Sequence, residues 1–199
     1  MIIFKKIIPA VIIIGLFSAC ASDENKATAA KDSSIVSTSD SVSSDKALLL
    51  VPGTSAGKVS IDQNAEEVYA ELGKPDAGDA AMQKAVAIWY KDHDPKSYAT
   101  AIYTVRDTGD NPAARVRQIR VTSPAFKTAD AVGVSSSLQE IQKAYTVAKL
   151  TDITDSGAPL VMYDSKSGIA FETDDNGICK AIIIHKAGES LKVTSLPLR

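Results

Sequence analysis

The feature that most constrains the fold is an internal repeat with one constant offset of 73 residues. Three blocks share this offset: Val59-Ser60-Ile61 recurs as Val132-Gly133-Val134, Asn64 to Val68 as Ser137 to Ile141, and Ile88-Trp89-Tyr90 as Val161-Met162-Tyr163. A constant spacing in both helix-like and strand-like segments indicates a structural unit that is used twice. We therefore expect two tandem repeats, residues 47–123 and 124–199.

Each copy has the pattern of one helix followed by strands. Asn64 with Glu67, and Ser137 with Glu140, place a capping side chain at a helix start and a carboxylate three residues later. Runs rich in β-branched and aromatic residues follow, separated by turn residues. They are Val86 to Tyr90, Tyr98 to Arg106, Arg115 to Thr122, Leu160 to Tyr163, Gly168 to Thr173 and Ile178 to His185. The predicted class is α+β, with a helix packed on a small antiparallel β-sheet meander in each repeat.

The first twenty residues have the pattern of an export signal. Lys5 and Lys6 precede an apolar stretch, Ile7 to Phe17, whose 11 residues are too few to span a bilayer. Phe17-Ser18-Ala19-Cys20 resembles the lipobox of bacterial lipoproteins. This resemblance implies that a signal peptide, residues 1–19, is removed and that Cys20 carries acyl chains such as palmitate as a membrane anchor. The alternative is an ordinary secretory signal that a cysteine follows by chance.

Residues 20–46 have the composition of a tether. Apart from Ile35, Val36 and Val42 they contain no large apolar group beyond the cysteine, so we expect a disordered Ser/Thr-rich linker. Its start, Cys20 to Glu24, is similar to the acidic export signal of surface lipoproteins of Bacteroidota. The resemblance implies attachment to the cell outer membrane, on either the cell surface or the periplasmic face.

A second resemblance concerns the folded part of the chain. Gly57 to Ile61, Leu72-Gly73-Lys74-Pro75-Asp76 and Ile88-Trp89-Tyr90 resemble the pattern of SmpA/OmlA-type lipoproteins and of the related β-lactamase-inhibitor-protein-like (BLIP-like) domains. The resemblance implies tandem units of a helix and four strands that bind proteins or envelope components and do not catalyse.

Composition and residue counts argue against several function classes. The net charge of -2 gives no broad basic surface, so we expect no nucleic-acid partner. Two histidines, His93 and His185, and two cysteines are too few for a zinc site or a disulfide framework. We therefore expect no metal, no cofactor and no catalytic residue.

Two groups of side chains are candidate binding residues. Arg106, Arg115 and Arg117 can share one sheet face and receive an acidic partner or an anionic glycan, the alternative being ordinary charge pairing on a solvated face. Aromatic residues anchor many interfaces, and the candidates here are Trp89, Tyr98 and Tyr103. The sequence thus predicts a non-enzymatic, lipid-anchored envelope protein that presents a binding surface to a protein partner. A surface lipoprotein that binds a glycan or small ligand is the alternative.

Overall fold

The structure, a computed structural model, describes residues 46–155 and 158–191, without the side chains of 151–155 and 158–159. The predicted signal peptide, Cys20 and all of the predicted tether except Lys46 lie outside the described residues. The described part of the chain falls within one compact unit, Ser37–Arg199. None of its helices is long and apolar enough to cross a membrane.

Strands dominate the described residues. They are β1 (Leu49–Val51), β2 (Ser55–Ala56), β3 (Val59–Ser60), β4 (Ala77–Ala81), β5 (Lys84–Tyr90), β6 (Ala99–Arg106), β7 (Ala114–Val121), β8 (Lys127–Thr128), β9 (Ala148–Asp155), β10 (Ala158–Ser165), β11 (Ile169–Thr173) and β12 (Cys179–His185). The helices are α1 (Ala65–Leu72) and α2 (Leu138–Ala144), and a short 3-10 turn spans Lys91–His93.

The strands form two sheets. The small sheet has the order β3-β2-β1-β8, in which β1 pairs in parallel with β8 and antiparallel with β2. The large sheet has the order β4-β5-β6-β7-β12-β11-β10-β9, and every neighbouring pair is antiparallel. Strands β7 and β12 join its two halves, since Val121 pairs with Ile182 and Ile119 with Ile184.

The predicted α+β class is wrong. In the part of the chain that the structure describes, helices of eight and seven residues accompany twelve strands in two sheets, so the fold is β-rich. The chain is not a tandem of helix-on-sheet repeats, because pairing of β7 with β12 makes one continuous sheet from strands of both halves. The predicted boundary between the two repeats, between residues 123 and 124, stays a prediction.

The six predicted strands all exist, whereas β4 and β9 of the large sheet and the four short strands of the small sheet were not predicted. The sequence of β4 is Ala-Gly-Asp-Ala-Ala, which has no β-branched or aromatic residue. The composition of this segment does not favour a strand. It forms one because it pairs antiparallel with the neighbouring β5. Strands β4 and β9 form the two edges of the large sheet.

Capping residues mark where both helices begin and where α1 ends. The Asn64 side chain accepts the Glu66 N–H at 3.0 Å, which satisfies one of the unpaired donors of α1. Ser137 and Glu140 form the full reciprocal capping box of α2. Gly73, with φ of 79°, ends α1, because a residue with a side chain is strained in that conformation.

The main hydrophobic core lies between the helices, the small sheet and one face of the large sheet, which we call the front face. Val68 of α1 and Ile141 of α2 are completely buried there, as is Leu50 of the small sheet. The large sheet contributes Ile102, Val116, Ile119, Val121, Ile169, Phe171, Cys179, Ile182 and Ile184.

A bulge in β7 brings Val116 into this core. In a regular strand, Val116 would point away from the face that carries Ile119 and Val121. In the structure Tyr103 pairs with Gln118 and Thr104 pairs with Val116, so Arg117 is the extra residue. The bulge therefore turns Val116 towards the front face and leaves Arg117 outside the regular pairing.

The opposite face of the large sheet, which we call the back face, carries its own apolar clusters. One contains Val86, Ile88, Ala101 and Tyr103. The other contains Met162, Ala170, Ile183 and Leu191. A single cross-strand row connects the two: Asp164, Ala170, Ile183, Arg120, Ala101, Ile88 and Ala77.

Candidate functional site

Two of the three predicted arginines are neutralised by nearby carboxylates. Arg115 Nε donates to Asp107 Oδ2 at 3.2 Å, and Arg117 Nη2 donates to Asp107 Oδ1 at 2.9 Å. Arg117 Nη1 also contacts the carboxylate of Asp62. This cluster has two cations and two anions, so it resembles the charge-pairing alternative more than a site that attracts an acidic partner.

Arg106 lies apart from that cluster. It pairs with Ala114 while Val105 pairs with Arg115, so Arg106 and Arg115 point to opposite faces of the β6–β7 pair. The Arg106 guanidinium is exposed and donates from Nη1 to the Pro112 carbonyl at 3.2 Å. The three arginines therefore do not share one face, and within the described residues no carboxylate lies within salt-bridge distance of Arg106.

The predicted aromatic residues occupy three different environments. Trp89 donates from Nε1 to the Gly73 carbonyl at 3.1 Å and packs on Tyr69, with ring centroids 5.9 Å apart, so it anchors the end of α1. Tyr103 is buried on the back face, where burial raises the pKa of its hydroxyl. Tyr98, just before β6, is 46% exposed. Of these three aromatic residues, Tyr98 is the one offered to solvent.

Two adjoining grooves open beside Arg106. The smaller, of about 290 Å³, lies along the β4–β5 hairpin from Ala80 to Ala85. The larger, of about 580 Å³, lies between the start of α1 and the β6–β7 loop. Both are lined by Ala85, Thr104, Arg106 and Ala114. We call the two grooves together the hairpin-end site.

The rim of the hairpin-end site is the turn at Met82 and Gln83. Both residues have positive φ, 49° and 65°, as a type I′ turn requires, although neither is a residue that favours this conformation. The Met82 side chain is 93% exposed. The adjacent edge strand β4 is partly protected, since Asp79 Oδ1 accepts the N–H of Ala80 at 2.8 Å.

A second set of polar residues lies buried on the back face, and the sequence patterns did not predict it. Arg120 and Glu172 form a two-pronged ion pair, Nε to Oε1 at 3.1 Å and Nη2 to Oε2 at 2.7 Å, with side chains only 4% and 2% exposed. His185 Nε2 lies 2.9 Å from Asp164 Oδ1. A sequence signal that could have found this set is the position of Arg120, Glu172 and His185 within largely apolar strands, because a buried charged side chain needs a partner.

Cys179 and His93 lie in separate environments within the described part of the chain. Burial raises the pKa of the Cys179 thiol to about 12, so it is unreactive at neutral pH. His93 is exposed and lies 2.6 Å from Asp76. Within residues 46–155 and 158–191, no group of three or more His, Cys, Asp or Glu side chains is arranged to hold a metal ion.

Comparisons of the chain with protein-family models, with curated protein sequences and with solved structures gave no match.

Proposed function

We propose that this protein is a non-enzymatic, lipid-anchored protein of the cell envelope that binds a protein partner through the hairpin-end site. The anchor is Cys20, as the lipobox pattern of Phe17 to Cys20 indicates. The proposed location is the outer membrane, with the folded part on the cell surface or on the periplasmic face. Acyl chains contribute about 0.8 kcal/mol per buried methylene, so two or three of them hold a protein firmly on a membrane.

The observation that carries the partner proposal is the exposure of Met82 beside two grooves that contain Arg106. Methionine and arginine are enriched in protein interfaces, because both combine a flexible apolar stem with wide contact area. Met82 combines 93% exposure with a left-handed backbone conformation that methionine does not favour. Unfavourable local geometry of this kind is concentrated at functional positions.

Site-specific photocrosslinking in intact cells tests this proposal. A photoreactive amino acid at position 82 is expected to give a discrete crosslinked species that disappears in an Arg106→Glu variant. The matched control is the same photoreactive group at Gln142, an exposed residue of α2 outside both grooves. No crosslink at position 82, or the same products at both positions, would contradict the proposed interface.

A glycan ligand is the second candidate function, and the larger groove favours it. The exposed ring of Tyr69 and the polar side chains of Asn64, Glu66 and Asn111 line this groove. Sugars stack on aromatic rings and hydrogen-bond to amides and carboxylates. Calorimetric titration of the full chain with envelope oligosaccharides, and of a Tyr69→Ala variant, separates this function from protein binding.

A further inference from the structure

Strand β4 is an edge of the large sheet, and its register shows which of its backbone groups face outward. Lys84 pairs with Ala81 across the two-residue turn, so alternate residues of β4, counted back from Ala81, bond to β5. The residues between them, Gly78 and Ala80, therefore direct their N–H and C=O groups to the edge that β5 does not occupy.

This edge has little protection against pairing with another strand. Its residues 78–81 are exposed, it contains no proline or lysine, and it pairs with β5 without a bulge. The opposite edge, β9, contains Lys149 and has a bulge in its pairing with β10. On β4 the protection is supplied by Asp79, whose Oδ1 accepts the N–H of Ala80 at 2.8 Å. A partner strand can take over this N–H when the Asp79 side chain rotates away.

The smaller groove of the hairpin-end site begins at this edge and is positively charged. Ala80 and Ala81 of β4 line it, so a chain that pairs with β4 reaches the groove. The lining also contains Lys84 and Arg106, and no Asp or Glu. In the part of the chain that the structure describes, neither of these two basic residues takes part in an ion pair. An acidic side chain is the electrostatic complement of such a groove.

We propose that the protein partner adds an extended antiparallel strand to β4 and places acidic side chains, at the N-terminal end of that strand, in the smaller groove. Because β4 runs towards the groove, an antiparallel neighbour begins there. Hydrogen bonds to the backbone of Gly78 and Ala80 supply affinity, and the charges of Lys84 and Arg106 supply selectivity. This inference rests on the proposed function and adds the chemistry of the partner to it.

Fluorescence polarisation of the full chain with two synthetic peptides tests the proposal. Both peptides are acetylated and contain a run of alternating threonine and valine, which is preceded by two glutamates in one peptide and by two lysines in the other. The glutamate peptide is expected to bind about tenfold more tightly than the lysine peptide. This preference is expected to disappear in the double variant Lys84→Gln with Arg106→Gln. Equal binding of the two peptides, or binding of neither, would overturn the proposal.

Substitutions in β4 test the strand pairing separately from the charge. Ala80→Pro removes an outward N–H and leaves the pairing with β5 intact, so the Tm is expected to stay unchanged while the affinity for the glutamate peptide falls by about fivefold or more. Asp79→Ala frees the N–H of Ala80 and is expected to strengthen binding. The matched Asp79→Asn keeps an oxygen that can accept this N–H and is expected to strengthen binding less. Unchanged affinity in Ala80→Pro would overturn the addition of a strand.

Photocrosslinking in intact cells separates failure of this inference from failure of the proposed function. A crosslink at position 82 that is lost in Ala80→Pro supports both. A crosslink that forms and persists unchanged in Ala80→Pro would show that the partner binds at the site but adds no strand to β4. Absence of the crosslink in the chain with an unmodified β4 would contradict the proposed function, and this inference with it.

Discussion

At the residue scale, the ion pair of Arg120 and Glu172 is the most consequential contact that sequence reasoning missed. The two residues are 52 positions apart and lie on strands separated by β12. Their contact depends on the order of strands across both halves, which local patterns do not determine. A buried ion pair is weak evidence for stability as a whole, but loss of one partner leaves the other charge buried and unpaired.

We expect Glu172→Gln to lower the free energy of unfolding by about 3 kcal/mol, because the buried Arg120 charge then loses the two-pronged contact with the Glu172 carboxylate. Urea unfolding of the full chain measures this change. The matched control is Glu71→Gln, which breaks the exposed 2.7 Å pair with Lys58 and is expected to change stability by no more than about 0.5 kcal/mol. If the two substitutions lowered the free energy of unfolding by similar amounts, the Arg120–Glu172 pair would contribute no more to stability than an exposed pair.

At the element scale, sequence patterns predicted the strands that are rich in β-branched and aromatic residues. They missed strands such as β4, which forms because a neighbouring strand pairs with it. The apolar run Ile178 to His185 indicated a strand, and β12 is buried on both sides except at Lys180. Strand β4 has no comparable signal because alanine and glycine favour no strand. The hairpin-end site was missed for the same reason, since β4 and its turn form its rim.

The β4–β5 turn offers a test that separates stability from binding. Replacing Met82→Asn and Gln83→Gly supplies residues that favour positive φ at both positions. We expect the free energy of unfolding to rise by about 1 kcal/mol, equivalent to a Tm increase of about 2 to 4 °C. The same double variant, with the photoreactive group moved to position 80 in the same groove, is expected to weaken partner crosslinking at the hairpin-end site. An unchanged or lower Tm in thermal unfolding would show that the turn is not strained.

The β11–β12 hairpin gives an expectation about acid stability. Asp174 Oδ1 accepts the N–H groups of Asn176 and Ile178, and Oδ2 lies 3.0 Å from Lys180 Nζ. The Ile178 N–H, followed by Lys180, lowers the pKa of the Asp174 carboxyl. The charge therefore stabilises the fold above the unfolded-state pKa of about 3.9, and this contribution is lost as the pH falls through the lower folded-state pKa.

We expect Asp174→Asn to have a lower Tm than the unmodified chain at pH 7, with a difference that shrinks as the pH falls below about 4. Thermal unfolding at a series of pH values measures the two curves. The control is Asp175→Asn in the same turn, because the Asp175 side chain accepts no hydrogen bond within the described residues. A Tm difference that is constant with pH would contradict the assigned role of the Asp174 charge.

At the scale of the whole molecule, the resemblance of Phe17 to Cys20 to a lipobox leads to a direct expectation about location. A Cys20→Ala variant has no thiol to receive acyl chains, so we expect it to lose incorporation of labelled palmitate and to leave the membrane fraction. Ser18→Ala is the matched control, because a small residue is kept before the cysteine. Membrane association and palmitate incorporation that persist in Cys20→Ala would exclude Cys20 as the anchor.

The sequence repeat predicted recurring elements but not how they combine. Matching blocks at an offset of 73 residues indicated similar helix starts and strands. They gave no information on β7 and β12, whose pairing merges the strands of both halves into one sheet. The row from Asp164 through Arg120 to Ala77 crosses that junction. The two halves are therefore expected to depend on each other for stability.

The measurement that tests this account most directly is equilibrium urea unfolding of the full chain with two probes. Trp89 fluorescence reports on the first half, and far-UV circular dichroism reports on all strands. Because one sheet and one front core include strands of both halves, we expect the two curves to coincide in a single cooperative transition. Two separate transitions, with Trp89 following only one of them, would contradict the account.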